Sequence, residues 1–377
     1  MKRLICLLLT VAMLFSICAC SKDTGNTENT EDTENTAQQE THIVVDNLDR
    51  EVEVPYEINR IAICSLWPLA SVLSVFFDSA DKLVGIPPEC MAAAENGLLG
   101  ELYPEILNAE TGYTKANEVN MEELAKLAPD LVFYNANTPD LGDQFAQLGI
   151  PAVAISATKC NYNAIETLNS WIELLSTIFP SNDKAKAVSD YSEKIYNMVQ
   201  ERVADIPDNE RANALFIYQC SETALLASGA KFFGQYWADS IGVVNVGKDL
   251  EGENAVAVNM EQIYAWNPDL VFITNFTPAT PDDIYNNSIG SYDWSGLDAI
   301  KNHNVNKMPM GMYRSFTPGI DTPVTLLWLA KAAYPQLFED IDITEETKSY
   351  YKDVFGIELS DEQAQSIFAP SVEAGRL

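Results

Sequence analysis

One segment of the chain is written twice, 139 residues apart. Asn120-Met121-Glu122-Glu123-Leu124 runs on to Pro129-Asp130-Leu131-Val132-Phe133, and Asn259-Met260-Glu261-Gln262-Ile263 runs on to Pro268-Asp269-Leu270-Val271-Phe272. Between 120–135 and 259–274, 8 of 16 aligned positions are identical. Solenoid units recur every ~20–50 residues, so an interval this long marks a repeated domain. Each copy reads as a short Asn-capped helix, a Pro-Asp break and an apolar strand. The chain is thereby constrained to two related α/β lobes, and the cleft between two lobes is where a small ligand usually sits.

The flanking segments agree. Arg60–Cys64, Leu83–Ile86, Leu131–Asn135 and Val153–Ser156 read as buried apolar strands alternating with helices, one over Leu69–Phe77 and one near 140–148. Continuous apolar strands between helices are the mark of a mostly parallel sheet covered on both faces. A small β-hairpin precedes them at 43–54. From 162 to 203 the rhythm changes: Ile165, Leu168, Ile172, Leu175 and Ile178, then Val188, Tyr191, Ile195 and Met198, fall at helical spacing on either side of Pro180. This predicts a helix, a break and a long helix over about 182–203. The second copy follows with strands at 214–218, 224–227, 243–246, 270–274 and 307–310, a helix over Pro323–Tyr334, and acidic helical stretches near 344–355 and 360–368. The expected fold class is α/β: two Rossmann-like lobes with mostly parallel sheets, residues 42–160 and 205–377, joined through connector helices in 161–204.

The amino terminus carries a different signal. Lys2 and Arg3 precede an apolar run from Leu4 to Ile17, too short for a membrane span and suited to a signal peptide over 1–19. It ends Ile17-Cys18-Ala19-Cys20, which resembles a bacterial lipobox with Cys20 as the acylated residue; an ordinary secretory signal with incidental cysteines is the alternative. Residues 20–41 are almost wholly small and polar or acidic. Such a stretch cannot bury enough apolar area to offset its ordering entropy, and it reads as a flexible tether. A formal net charge of −32 argues against nucleic acid as a partner, since binding phosphates needs a basic surface; solubility outside a membrane accounts for the acidity.

Chemistry-bearing residues are sparse. Cys64, Cys90, Cys160 and Cys220 match no zinc spacing. Cys64 with Cys90 is the first pairing to consider, and reduced thiols are equally open. Cys64 and Cys220 end apolar runs, so both thiols would stand at strand ends facing the cleft, as space-filling residues or as soft-metal ligands. His303 sits in a polar loop, and Met308, Met310 and Met312 alternate as core filling or as axial haem ligands. No phosphate loop, nucleophile elbow or His-rich metal cluster is present, which leaves binding chemistry and no catalytic residue. In both copies Asn with Glu or Gln three residues on (Asn120 with Glu123, Asn259 with Gln262) matches a capping box, leaving Glu122 and Glu261 pointing outward.

The lipobox and tether, the stretch Asp46-Asn47-Leu48-Asp49-Arg50-Glu51-Val52-Glu53-Val54-Pro55 with Arg60-Ile61, the doubled Asn-Met-Glu with Pro-Asp-Leu-Val, the long connector helix, and Gly311-Met312-Tyr313-Arg314 together resemble the substrate-binding lipoproteins of ABC importers for iron–siderophore complexes, haem and cobalamin, over roughly residues 43–335. The resemblance implies two lobes bridged by one rigid helix, a ligand in the interlobe cleft, and one glutamate per lobe, here Glu122 and Glu261, docking on the importer's membrane subunits. It implies a monomeric protein, tethered by its lipid to the membrane outside the cytoplasm, with ABC permease and ATPase subunits as partners. No cofactor is bound permanently and no metal is held by the protein itself; the ligand is a ferric chelate, with cobalamin, haem or a non-transport surface role as alternatives.

Sites in doubly wound lobes form beyond the carboxyl ends of strands. That rule nominates Ser65, Leu66 and Trp67 after the first strand, Pro87, Pro88 and Met91 after the second, and Asn135 and Asn137 after the third. In the second lobe it nominates Gln219, Ser221, Phe232, Phe233, Asn275 and Phe276. Tyr313 and Arg314 match the family's late loop over the cleft, and an arginine fork suits carboxylate or catecholate oxygens of a chelate. Trp67 reads equally as a packed core residue.

Overall fold

The computed structural model describes residues 40–115 and 117–375. The signal peptide, the Cys20 lipidation and nearly all of the tether lie outside the described residues. Thr41, placed in the tether from sequence, instead opens the first strand, because its backbone pairs with Pro55.

The first half runs β1 (Thr41–Val45), β2 (Glu51–Pro55), β3 (Ile61–Cys64), α1 (Leu69–Phe77), β4 (Leu83–Gly85), α2 (Pro88–Glu95), α3 (Leu98–Leu102), β5 (Thr114–Lys115), β6 (Glu118–Val119), α4 (Met121–Lys126), β7 (Leu131–Asn135), α5 (Asp140–Gln147) and β8 (Ala152–Ile155). Two helices follow, α6 (Ala164–Ile178) and α7 (Ala185–Val203), separated by a 3₁₀ turn at Pro180–Asn182. The second half runs β9 (Asn213–Cys220), β10 (Leu225–Ser228), α8 (Phe233–Ile241), β11 (Val244–Asn245), β12 (Ala255–Ala257), α9 (Met260–Trp266), β13 (Leu270–Ile273), α10 (Pro281–Tyr285), α11 (Asp298–Lys301), β14 (Val305–Lys307), α12 (Thr322–Ala333), α13 (Ile343–Tyr350) and α14 (Asp361–Ser366).

The first sheet is parallel throughout, in the order β4-β3-β7-β8. The second keeps a parallel centre, β9 with β11 and β13, and β13 with β14, and adds β10 and β12 antiparallel at one edge. β12 was not legible as a strand, because Ala255–Ala257 is only three residues long and half-exposed.

Side chains alternate across both sheets with the two-residue period of extended backbone. Ile61, Ile63, Leu131, Phe133, Ala214, Phe216, Leu270 and Phe272 enter one large cluster that also holds the buried faces of α1, α6, α7, α8 and α12. Their neighbours in sequence supply a smaller cluster on the opposite face of each sheet. α7 is the long connector. Val188, Tyr191, Ile195, Val199 and Val203 recur every three or four residues and are buried; the helix packs on α6 before it and on α8 and α12 after it.

The doubled segment now has a structural account. Asp130 caps the entry to β3, its carboxylate accepting from the Asn59 and Arg60 amides at 2.7 and 2.9 Å. Asp269 does the same for β9 through the Asn213 amide at 2.8 Å. Asn120 accepts from the Glu122 and Glu123 amides, and Asn259 from the Gln262 amide. Only the second copy is a full capping box. In the first, Glu123 turns away to Lys126 at 2.7 Å, an ion pair one turn along the helix.

All four cysteines of the folded part are free. Cys90 donates to the Trp67 carbonyl at 2.8 Å, so it holds a loop rather than a disulfide partner. Cys64 and Cys220 do not face the cleft; strand alternation sends them into the outer clusters. Burial pushes both thiols up, Cys220 to about 12. Met308, Met310 and Met312 are buried core residues, and His303 is exposed.

Candidate ligand-binding site

A cleft of about 480 Å³ opens at the carboxyl ends of the two parallel sheets. The first lobe lines it with Ser65–Pro68 after β3, Asn135 and Asn137 after β7, and Ala157 and Thr158 after β8, with Asn117 from the β5–β6 turn. The second lobe supplies Tyr218, Phe232, Phe233, Asn254, Phe276, Thr317 and Pro318, and Tyr162 projects from the entry to α6. Every lining side chain is uncharged. The donors and acceptors are amides and hydroxyls, and the walls are rings.

The rings make a continuous surface. Tyr218 stacks on Phe276 at 4.9 Å between centroids, Phe232 meets Tyr218 at 5.3 Å, and Tyr162 reaches over from the connector to Phe233 at 5.4 Å. Trp67 faces Phe276 from the opposite lobe at 6.5 Å. Its indole Nε1 is buried without a hydrogen-bond partner, and indole N–H groups usually find one when buried.

Each lobe fixes its cleft loop by the same device. Asn135 donates to the Ser65 carbonyl at 3.0 Å and accepts from the Asn137 amide at 2.9 Å. At the matching repeat position Thr274 donates to the Tyr218 carbonyl at 2.7 Å and accepts from the Phe276 amide at 3.2 Å. In both lobes a polar side chain at or just past the end of the repeated strand thus ties the loop that follows it to the neighbouring strand or the residue after it. Ser65 needs the tie, because its φ of 57° is left-handed, a conformation costing a non-glycine residue about 1–2 kcal/mol. Phe232 and Phe233 are set by the start of α8, which approaches β10 closely. A Cβ on Gly234 would stand 2.5 Å from the Ser228 hydroxyl, which itself accepts from the Gly234 amide.

Lys307 anchors the other side of the Phe276 loop. Its ammonium donates to the Thr274, Thr277 and Ala279 carbonyls at 2.9, 2.6 and 2.9 Å. Burial pulls it down to about 7, with the Asp283 carboxylate acting against that.

The structure brings Ser65, Leu66, Trp67, Asn135, Asn137, Phe232, Phe233 and Phe276 to the cleft and leaves others out. Gln219 is not among the lining residues: β9 bulges against β10, where Gln219 pairs with Leu226 but Ile217 with Ala227. The extra residue presents Tyr218 to the cleft instead. Asn275 spends its amide on the Met308 and Pro309 carbonyls. Pro87, Pro88 and Met91 belong to the start of α2. Tyr313 and Arg314 are buried behind the Phe276 wall, the guanidinium carbon 5.3 Å from that ring, so no arginine fork stands in the cleft. Sequence reasoning missed Tyr162, Asn117 and Asn254; they arrive from loops and the connector, and no strand-end rule reaches them. Among the described residues no group of three His, Cys, Asp or Glu could hold a metal ion.

Glu122 and Glu261 occupy the first turns of α4 and α9 and are exposed. The Glu122 side chain is 85% accessible, with Lys126 at 3.9 Å.

Comparison with known proteins places this architecture. A family model described as periplasmic binding protein matches residues 92–310. The molybdate-binding protein MolA of Haemophilus influenzae is 26% identical over 332 residues, covering 82% of this chain and 90% of that protein. The Fe(3+)-citrate-binding protein YfmC of Bacillus subtilis is 20% identical over 62% of this chain and 70% of its own length. Among solved structures, a periplasmic solute-binding protein from Veillonella parvula superposes with a TM-score of 0.79 at 29% identity, covering 89% of this chain and 98% of its own. Molybdate-bound MolA, the cognate binding protein of an ABC transporter, superposes at 0.71 and 24% identity, over 85% and 99%.

Proposed function

The chain belongs to the periplasmic binding protein family, and from that premise we propose that it captures a bulky iron chelate, siderophore-like and uncharged on its outer surface, and delivers it to an ABC permease. The observation that carries this reading is a cleft of about 480 Å³ walled by aromatic rings from both lobes and carrying no acidic or basic side chain. A bare oxyanion would leave most of that volume empty. A polyanionic chelate would meet neither lysine nor arginine there, in a chain whose net charge of −32 already repels it. A neutral complex with an oxygen-rich rim finds amides and hydroxyls for the rim and rings for its faces. Acylation at Cys20 and the tether that precedes Thr41 would hold the monomer at the membrane outside the cytoplasm. Glu122 and Glu261, one exposed on each lobe, would pair with basic residues of the permease; such pairs contribute orientation and association rate.

Titrating the protein with a neutral ferric trihydroxamate, cobalamin, haem, ferric citrate and molybdate, with tryptophan fluorescence and melting temperature as readouts, tests the ligand. The expected result is binding of the neutral ferric complex with an affinity that changes less than about twofold between 50 and 500 mM salt, as uncharged partners require. A melting shift with molybdate alone would sink the chelate assignment. For delivery, Glu122→Lys with Glu261→Lys should leave chelate affinity unchanged and abolish uptake through the reconstituted transporter. Undiminished uptake would remove the docking role.

A further inference from the structure

Residues 360–375 bridge the two lobes behind the Phe276 wall. α14 and the 3₁₀ turn Val372–Gly375 belong by sequence to the second lobe, yet both touch the first. Gln363 Nε2 donates to the Glu101 carboxylate on α3 at 2.8 Å, and Val372–Gly375 packs on α2. Between these contacts the segment stands clear of the first lobe. A cavity of about 550 Å³ separates Gly97 and Gly100 on one side from Ser366, Pro370 and Ser371 on the other. On the second lobe the Ile367 carbonyl accepts from the Met310 amide at 2.8 Å. The segment is thus tied at discrete points, each within reach of a single substitution.

Its tip is packed most closely. Ala374 and Gly375 are buried, and a Cβ on Gly375 would collide with the Thr277 carbonyl. Thr277 follows Phe276, the ring that walls the cleft. The Ala374 carbonyl accepts from Arg314 Nε at 3.0 Å, while Arg314 Nη1 donates to the Glu89 carbonyl of α2 at 3.2 Å and the Tyr313 hydroxyl at 3.0 Å. The guanidinium carbon lies 5.3 Å from the Phe276 centroid. One wholly buried planar group therefore joins the first lobe, the tail and the back of a cleft wall. Its hydrogen-bond partners are neutral, and Nη2 is buried with none. Burying a charge among neutral groups is costly, so stability alone is a poor reason for an arginine here. A guanidinium offers a fork of donors and a flat face at once, which is what three partners and a ring require.

We infer that residues 360–375 are a clasp between the lobes, that Arg314 is its rivet, and that together they position the Phe276 wall for the ligand. The inference rests on the solute-binding reading. Arg314 is here a positioning residue: it touches no ligand and acts through the ring in front of it. With the clasp seated, the ring is ordered before the ligand arrives. With the clasp lifted, binding must also order the loop 274–279, and affinity falls by that cost.

Arg314→Met removes the fork and keeps an apolar stem, and Gly375→Ala lifts the tip without altering Arg314 or any cleft residue. Two measurements on the full chain test them: hydrogen exchange at the Phe276, Thr277 and Ala279 amides without ligand, and affinity for a neutral ferric trihydroxamate. Either variant should speed that exchange and weaken the chelate by about tenfold each, with β3 and β7 exchanging as in the parent. A merely structural role would instead speed exchange everywhere. Unchanged exchange at the three amides in both variants, or faster exchange that extends equally to β3 and β7, overturns the proposal. Unchanged chelate affinity beside a loosened loop overturns it too. Should Arg314→Met not fold, Gly375→Ala carries the same test. If no form binds the trihydroxamate, the chelate-binding reading fails, and the exchange measurement still decides the clasp.

Discussion

Replacing Thr274 by valine keeps the shape of the side chain and removes only its hydroxyl. That hydroxyl bridges the Tyr218 carbonyl and the Phe276 amide, at 2.7 and 3.2 Å, from a position with no solvent exposure. The variant leaves a carbonyl and an amide without this partner where water has no ready access. A buried group left unsatisfied costs about 1–3 kcal/mol, so the two together should cost about 2–6 kcal/mol. Asn135→Ala removes the equivalent bridge of the first lobe, but Asn135 is only half-buried beside the open cleft, and Asn137 is exposed. Water can replace much of what is lost there, and a cost of about 0.5–1.5 kcal/mol follows from the net worth of exchanged hydrogen bonds. The two braces are equivalent in the repeat and unequal in burial, so Thr274→Val should be the more destabilising by at least about 0.5 kcal/mol. Urea unfolding of the unliganded protein measures both differences directly. Equal losses, or a larger loss for Asn135→Ala, would show that burial does not set the strength of these braces.

Asp321 gives a pH signature. It is fully buried, and burial raises it to about 6 against hydrogen bonds from the Tyr351 hydroxyl and the Met312 amide. A carboxyl raised on folding contributes stability that is fully present below its unfolded value near 3.8 and is lost as pH rises through about 6. Asp321→Asn should therefore flatten the stability profile between pH 4 and 7; a profile identical to the parent's in urea titrations across that range contradicts the assignment. Lys307→Met keeps the buried stem and strips three carbonyls of their donor. It should cost about 2–4 kcal/mol and weaken chelate binding through the Phe276 loop. An unaltered unfolding midpoint would mean that the lost desolvation penalty of the ammonium offsets those bonds in full.

How much of this was legible in the sequence follows the range of the interactions. The Asn caps, the Pro-Asp breaks and the strand alternation are local, and their repetition made the two lobes readable before any contact was known. Ser65, Asn135 and Phe232 were reachable because they follow strand ends, where the backbone itself delivers them to the cleft. Gln219 failed by one residue, since the bulge in β9 depends on pairing with β10 and carries no local mark. Arg314 failed for a different reason. Its surroundings come from Glu89, 225 residues away in the chain, and from Ala374, and nothing at Gly311–Arg314 announces either partner. The missed lining residues Tyr162 and Asn254 share that remoteness, being set by how the connector and the β11–β12 loop fall across the lobes.

The connector helix α7 works as a fixed caliper. Nineteen residues of uninterrupted helix span about 28 Å at the usual rise per residue, with α6, α8 and α12 packed on it. Its own backbone hydrogen bonds fix the length of such a strut. Were Glu122 and Glu261 the permease contacts proposed above, a strut of fixed length would favour one spacing between them, and the permease would have to learn whether cargo is present from the rim of the cleft rather than from those two handholds.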